Sequence, residues 1–194
     1  MTPFKPMESL RVRNTTGARA RLGFCLGGLP AWSAWIGPGD SIRVPRPRAD
    51  SIVASATFLD PLTQVAYTTS ASIDTQPVRL VASLVCAPDT AAFQLSQEPA
   101  GRTDHIGLLN LTAMQIQVML RFAGTPFVLA ACVGAQEELA VDIGMPELCV
   151  TLDGVSSAAI CIRHWTGELT IGVSDHDGRR MPDIRVDLPD THSC

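Results

Sequence analysis

Aromatic side chains are scarce in this chain: one Tyr, three Trp and six Phe, 5% of 194 residues. That scarcity bears on function, because a single-stranded nucleic-acid groove relies on aromatic faces interleaved with its cations. Charge is also modest, 18% of residues against 46% apolar, which is the balance of a folded globular chain rather than a disordered one. Long apolar runs are missing. No stretch approaches the roughly 18 uninterrupted apolar residues of a membrane-spanning helix. The opening MTPFKPMESLRVR has no apolar segment behind its charge. Neither membrane insertion nor a classical secretory route is expected, so the expected location is intracellular or in a virion.

The short motifs of catalysis and metal binding are missing too. There is no C-x-x-C, no H-E-x-x-H, no G-x-S-x-G and no phosphate-cradling glycine loop, and His105, His164, His176 and His192 lack ligand-like spacing. Asp175-His176-Asp177-Gly178 offers oxygens but none of the later ligands of a calcium loop, and reads as a polar turn after a strand. The expectation is therefore a non-enzyme with no catalytic residue, no metal site and no cofactor.

What the chain does have is an echo of itself. Asn14-Thr15-Thr16 and Asn110-Leu111-Thr112 both spell N-x-T, and a shift of 96 residues lays one on the other. Ala18, Ala20, Leu22, Phe24 and Leu26 then fall on Met114, Ile116, Val118, Leu120 and Phe122. Polar residues fill the alternate positions, Arg19 and Arg21 opposite Gln115 and Gln117, which is the period-2 pattern of a half-buried β-strand. Pro30 meets Pro126, and further extended segments correspond down both halves, so the sequence reads as an internal duplication of about 90 residues. The N-x-T pair then marks one strand-to-turn corner seen twice, in preference to two glycosylation sites.

Each half has several short alternating segments punctuated by turn chemistry such as Gly37-Pro38-Gly39-Asp40, and neither shows a long, capped 3.6-residue pattern. The expected fold class is all-β: two tandem antiparallel β-sandwich modules, Greek-key/Ig-like or jelly-roll-like. The expected boundaries are an N-terminal module at 8–88, a linker at 89–104 in which AAFQLSQ could make a short helical turn, a C-terminal module at 105–188, and a flexible tail at 189–194. Asp183 to Leu188 reads as an added edge strand.

The six cysteines do not align between the halves, and four sit inside apolar runs, so they read as reduced, buried small hydrophobes. A Cys149–Cys161 bridge is the exception the spacing allows.

Charge is uneven along the chain. Residues 1–50 carry eight basic residues, including Arg43, Arg46 and Arg48, against three acidic ones, whereas the remainder is strongly acidic. Because the chain as a whole is acidic and the arginines lack interleaved aromatics, direct nucleic-acid binding is disfavoured. Arg43, Arg46 and Arg48 are candidate contacts to a protein partner or to a second copy. Trp32 and Trp35 are candidates for the alternative, a carbohydrate- or surface-ligand-binding module of lectin or adhesin type. The preferred expectation is a structural or interaction protein within a larger assembly, with a phage-type virion component as its concrete form; this rests on fold-level analogy to β-sandwich modules of virions, adhesins and lectins.

Overall fold

Alternation governs the backbone throughout. In the computed structural model, which describes residues 9–47, 52–73, 78–87, 90–100, 105–163, 165 and 167–187, strands alternate with turns and no helix occurs among the described residues. The first half contributes β1 (Ser9–Asn14), β2 (Ala20–Leu26), β3 (Leu29–Ile36), β4 (Ser41–Pro45), β5 (Ile52–Leu59), β6 (Ala66–Ile73), β7 (Val78–Ala87) and β8 (Thr90–Pro99). The second contributes β9 (His105–Asn110), β10 (Ile116–Phe122), β11 (Val128–Val133), β12 (Glu138–Asp142) and β13 (Pro146–Leu152). The short β14 (Val155–Ser156) and β15 (Ile160–Cys161) follow, then β16 (Glu168–His176) and β17 (Arg179–Asp187). Inward positions read as predicted: Ala20, Leu22, Phe24 and Leu26 on β2, and Ile116, Val118, Leu120 and Phe122 on β10, are all buried. Burying a Leu, Ile or Phe side chain contributes about 1.5–3 kcal/mol, so these two stripes anchor their sheets.

The strands form four sheets, ordered β17-β16-β1-β4, β14-β13-β2-β3 with β15 also on β13, β12-β9-β7-β8, and β11-β10-β5-β6. The architecture is β-sandwich-like and all-β. The chain divides into two compact units. One takes in the described residues of Met1–Cys25, Trp32–Arg46 and Met145–Cys194, and the other those of Leu26–Ala31 and Pro47–Gly144. Each unit therefore draws strands from both halves of the sequence. The sheet orders correspond when β1–β6 are matched with β9–β14, and β7 and β8 with β16 and β17. β1 pairs in parallel with β16, Asn14 opposite Ile171, and β9 pairs in parallel with β7, Asn110 opposite Ala82.

Two sequence readings change. Residues 90–99, placed in the linker with a helical turn inside it, form β8, hydrogen-bonded to β7 from Ala87↔Thr90 to Val78↔Pro99. AAFQLSQ has apolar residues but no strong helical period, and its long antiparallel partner decides the conformation. The cysteines also move outward. Cys25 and Cys149 are half-buried, Cys86, Cys132 and Cys161 are exposed, and all five are unbridged. An apolar run misleads here because alternation buries only the flanking residues, as Phe24 and Leu26 do around Cys25. The register sets Cys161 opposite Glu147 and Leu148 opposite Ile160, which leaves Cys149 without Cys161 across from it. Asp183–Asp187 does form part of an edge strand, β17. The 189–194 tail lies outside the described residues.

Candidate interaction surface

The asparagine corners organise the strand ends. Asn110 is fully buried. Its amide nitrogen donates to the carbonyls of Met114 (2.7 Å), Gly134 (2.8 Å) and Val133 (3.2 Å), while its Oδ1 accepts from the Thr112 N–H (2.9 Å) and hydroxyl (2.8 Å). Asn14 repeats the arrangement: its amide donates to Ala18 (2.8 Å) and Ile36 (3.0 Å), and it accepts from the Thr16 N–H (3.0 Å) and hydroxyl (2.7 Å). Both Asn backbones lock onto the turn before the neighbouring strand of their sheet, Asn14 N–H to Asp40 before β4 and Asn110 N–H to Glu137 before β12. At Gly37–Asp40 that turn has Gly39 at φ +78, the positive φ its sequence suggested. In the second unit Gln136 takes the same position at φ +60 and donates to the carbonyls of Leu111 and Thr112. These amides are spent on structure, so a glycan on either would have to break the corner.

Of the basic candidates, Arg43 lies on a sheet. Arg43 stands exposed on β4 directly opposite Arg11 on β1. Arg11 donates to the Ser41 hydroxyl (3.1 Å) and approaches Glu168 on β16 at 4.0 Å. Arg13 and Arg185 share this solvated face, each in register with Thr170. Arg46 is exposed just beyond β4, and Arg48 lies outside the described residues. Alternation in β1 and β4 is what brings the first three arginines together.

The two tryptophans have different surroundings. Trp35 is 54% exposed, and the Arg19 guanidinium sits 5.0 Å above its ring, a cation–π contact that occupies one ring face. Arg21 donates to Ser33 alongside. Trp32 is half-buried on the same strand, β3. Asp177 and Gly178, both at positive φ, make the two-residue turn between β16 and β17, as the polar-turn reading requires. Among the described residues no three His, Cys, Asp or Glu side chains group closely enough to hold a metal ion. Burial pushes the Cys25 thiol above its ordinary value, and nearby Cys149 and Glu147 add to that shift.

Two features escaped the sequence reading. The first is the loop between β5 and β6, which presents Leu62 at 92% exposure beside exposed Leu59, Val65 and Tyr67. The loop holds itself in shape. Asp60 accepts from the Leu62 N–H (2.9 Å) and the Thr63 hydroxyl (2.8 Å), the Gln64 N–H donates to the Asp60 carbonyl (2.8 Å), and the Gln64 side chain donates to the Pro61 carbonyl (2.9 Å). The bonds from the Thr63 hydroxyl and the Leu62 N–H hold the Asp60 carboxyl below its usual range. Beneath the tip, Phe58 stacks on Tyr67 (5.0 Å) and meets Phe93 of β8 edge-on (4.8 Å). The matching hairpin, β13–β14, turns in two residues, Asp153 and Gly154, and has no such loop.

The second feature is the outer face of β11-β10-β5-β6. Its register rows run Gln117–Thr57–Thr68, Met119–Ser55–Ser70 and Arg121–Val53–Ser72, and those four strands contain a single charged residue, Arg121. A signal was present in the sequence: between residues 52 and 73 only Asp60 is charged.

No helix of the described residues is long and apolar enough to cross a membrane. No family model matches the chain, and neither a curated protein nor a solved structure matches it.

Proposed function

We propose that this chain is a non-enzymatic structural protein that acts through protein–protein contacts as a component of a larger assembly, most concretely a phage-type virion component of head-decoration or tail-associated kind. We further propose that it is built from two related β-sandwich modules that exchange strands, each sandwich combining β-strands of both halves. The matched sheet orders and the two asparagine corners support that second part.

The observation that carries the functional reading is the Leu62 loop. A leucine 92% exposed to water is unfavourable to leave uncovered, and hydrogen bonds among Asp60, Pro61, Leu62, Thr63 and Gln64 hold it there. A preordered apolar knob loses little conformational entropy when a partner covers it. The matching hairpin closes in two residues, so the fold does not require the longer loop. The carbohydrate alternative is less well served, because Arg19 already covers one face of Trp35 and Trp32 is half-buried.

The test uses the full chain in its native source. Chemical crosslinking with light scattering is expected to find it in particles far larger than its own 20.7 kDa, with crosslinks on residues 60–66. Leu62→Asp, at a position where folding is indifferent to the side chain, is expected to release it. A stable monomer free of partners, or undiminished incorporation of Leu62→Asp, overturns the proposal.

A further inference from the structure

We infer that the outer face of β11-β10-β5-β6 is a self-association surface, and that its occupant is the same face of a second copy of this chain. An isologous interface sets one patch against itself, so every charge on the patch meets its own copy or lies near it. A charged face therefore repels itself unless both signs are interspersed with care.

The three other sheets carry charge outward. The β17-β16-β1-β4 face presents Arg11, Arg13, Arg43 and Arg185, the β14-β13-β2-β3 face Arg21 and Glu147, and the β12-β9-β7-β8 face Arg79 between Glu98 and Glu138. The remaining sheet carries only Arg121, which lies between Val128 and Val53 in the row at one end of the face. In a chain with 18% charged residues, a four-stranded face with one charge has the depletion found at interface cores.

Side-chain size points the same way. The centre of the face is Ser55 with Ser70 and Thr57 with Thr68, the two threonine hydroxyls 2.9 Å apart. Small residues let a second sheet approach to the roughly 10 Å of face-to-face packing. The hydroxyls can exchange hydrogen bonds across the seam in either direction, since each both donates and accepts. Exposed Val53 and Val128 add apolar area at one end. A lipid occupant is disfavoured by the same census, because binding to an anionic bilayer draws on clustered Lys and Arg.

The Leu62 loop joins β5 and β6 at one end of this sheet, whereas Val53 and Ser70 lie on the strands away from it, so the two proposals are tested by different variants: a chain that does not self-associate can still enter an assembly through Leu62. The test is sedimentation equilibrium of the purified full chain over a range of concentrations, at low salt and in 1 M NaCl. A dimer is expected that persists in high salt, because the buried face contributes almost no ionic attraction. Val53→Lys and Ser70→Lys each place two like charges in the contact and are expected to weaken dimerisation by at least about tenfold. Arg13→Ala, on another sheet, is expected to leave it unchanged. Circular dichroism melts confirm that the variants fold, as both substituted positions are solvent-exposed strand sites. A chain monomeric at all concentrations overturns the inference. So does a dimer that dissociates in salt or ignores both lysines, and so does binding of lipid vesicles or soluble oligosaccharide that Val53→Lys abolishes.

Discussion

Removing the Asn110 side chain tests the corner that ties β9, β10 and β11 together. Asn110→Ala deletes five hydrogen bonds at a fully buried position. Their loss is uneven. The Met114 carbonyl keeps the Thr112 hydroxyl (2.9 Å), and the Gly134 carbonyl keeps the Glu137 N–H (3.2 Å), whereas the Thr112 N–H loses its acceptor. A net hydrogen bond contributes about 0.5–1.5 kcal/mol and a buried orphaned donor costs about 1–3 kcal/mol, so the expected destabilisation is roughly 3–5 kcal/mol. Against a typical stability of about 5–15 kcal/mol this is a large fraction. Asn110→Asp is nearly isosteric and sharper. It points a carboxylate oxygen at three carbonyls in a buried site, so at neutral pH it is expected to cost at least as much as alanine, with part recovered when acid protonates it. Asn14→Ala, with four such bonds, is expected to cost slightly less. The assay is urea unfolding followed by circular dichroism, with amide hydrogen exchange to locate the loss. Exchange should rise on β9, β10 and β11 for Asn110→Ala, and on β1, β2 and β3 for Asn14→Ala. A cost below about 1 kcal/mol for Asn110→Ala, or a neutral Asn110→Asp at pH 7, refutes the reasoning.

Two further predictions probe the turns and the thiols. Gly27 sits at φ +55, and a Cβ there would lie 2.9 Å from the Asp142 backbone nitrogen and 3.0 Å from its oxygen, while Gly28 at φ +75 has open space around it. Gly27→Ala is therefore expected to cost about 2–3 kcal/mol and Gly28→Ala about 1 kcal/mol by urea denaturation; equal costs would show that the close approach is relieved by a shift of the loop. In alkylation at pH 8 read by peptide mass spectrometry, exposed Cys86, Cys132 and Cys161 are expected to react before Cys25, whose thiol is pushed up by burial and by Cys149 and Glu147. Raising the pH should narrow that gap, since it forms the Cys25 thiolate that burial disfavours; early labelling of Cys25 contradicts its placement.

How much of this was legible beforehand depends on whether the information is local. Strand content, the inward stripes on β2 and β10, the Gly39 turn and the edge position of β17 all follow from residues within a few positions of one another. The N-x-T corner was legible too, because an Asn side chain bonding two and four residues onward leaves a short, repeated pattern. Partner choice is different. The alternation in β1 is the same whether β7 or β16 lies beside it, since either offers an inward apolar stripe: Leu80 with Ala82, or Leu169 with Ile171. A reading based on period therefore assigns neighbouring strands to one module by default, and cannot see that each unit is completed by the other half. The β8 strand was missed for the same reason, as its conformation is decided by ten residues of β7. The candidate residues were chosen by conspicuousness, Arg and Trp standing out in a chain poor in aromatics. The Leu62 loop and the uncharged sheet face stand out only by what surrounds them: a leucine in a Pro-Leu-Thr turn, and serines and threonines where charges would be. Such features become visible when the charge along each strand is counted by face, and that count requires the register.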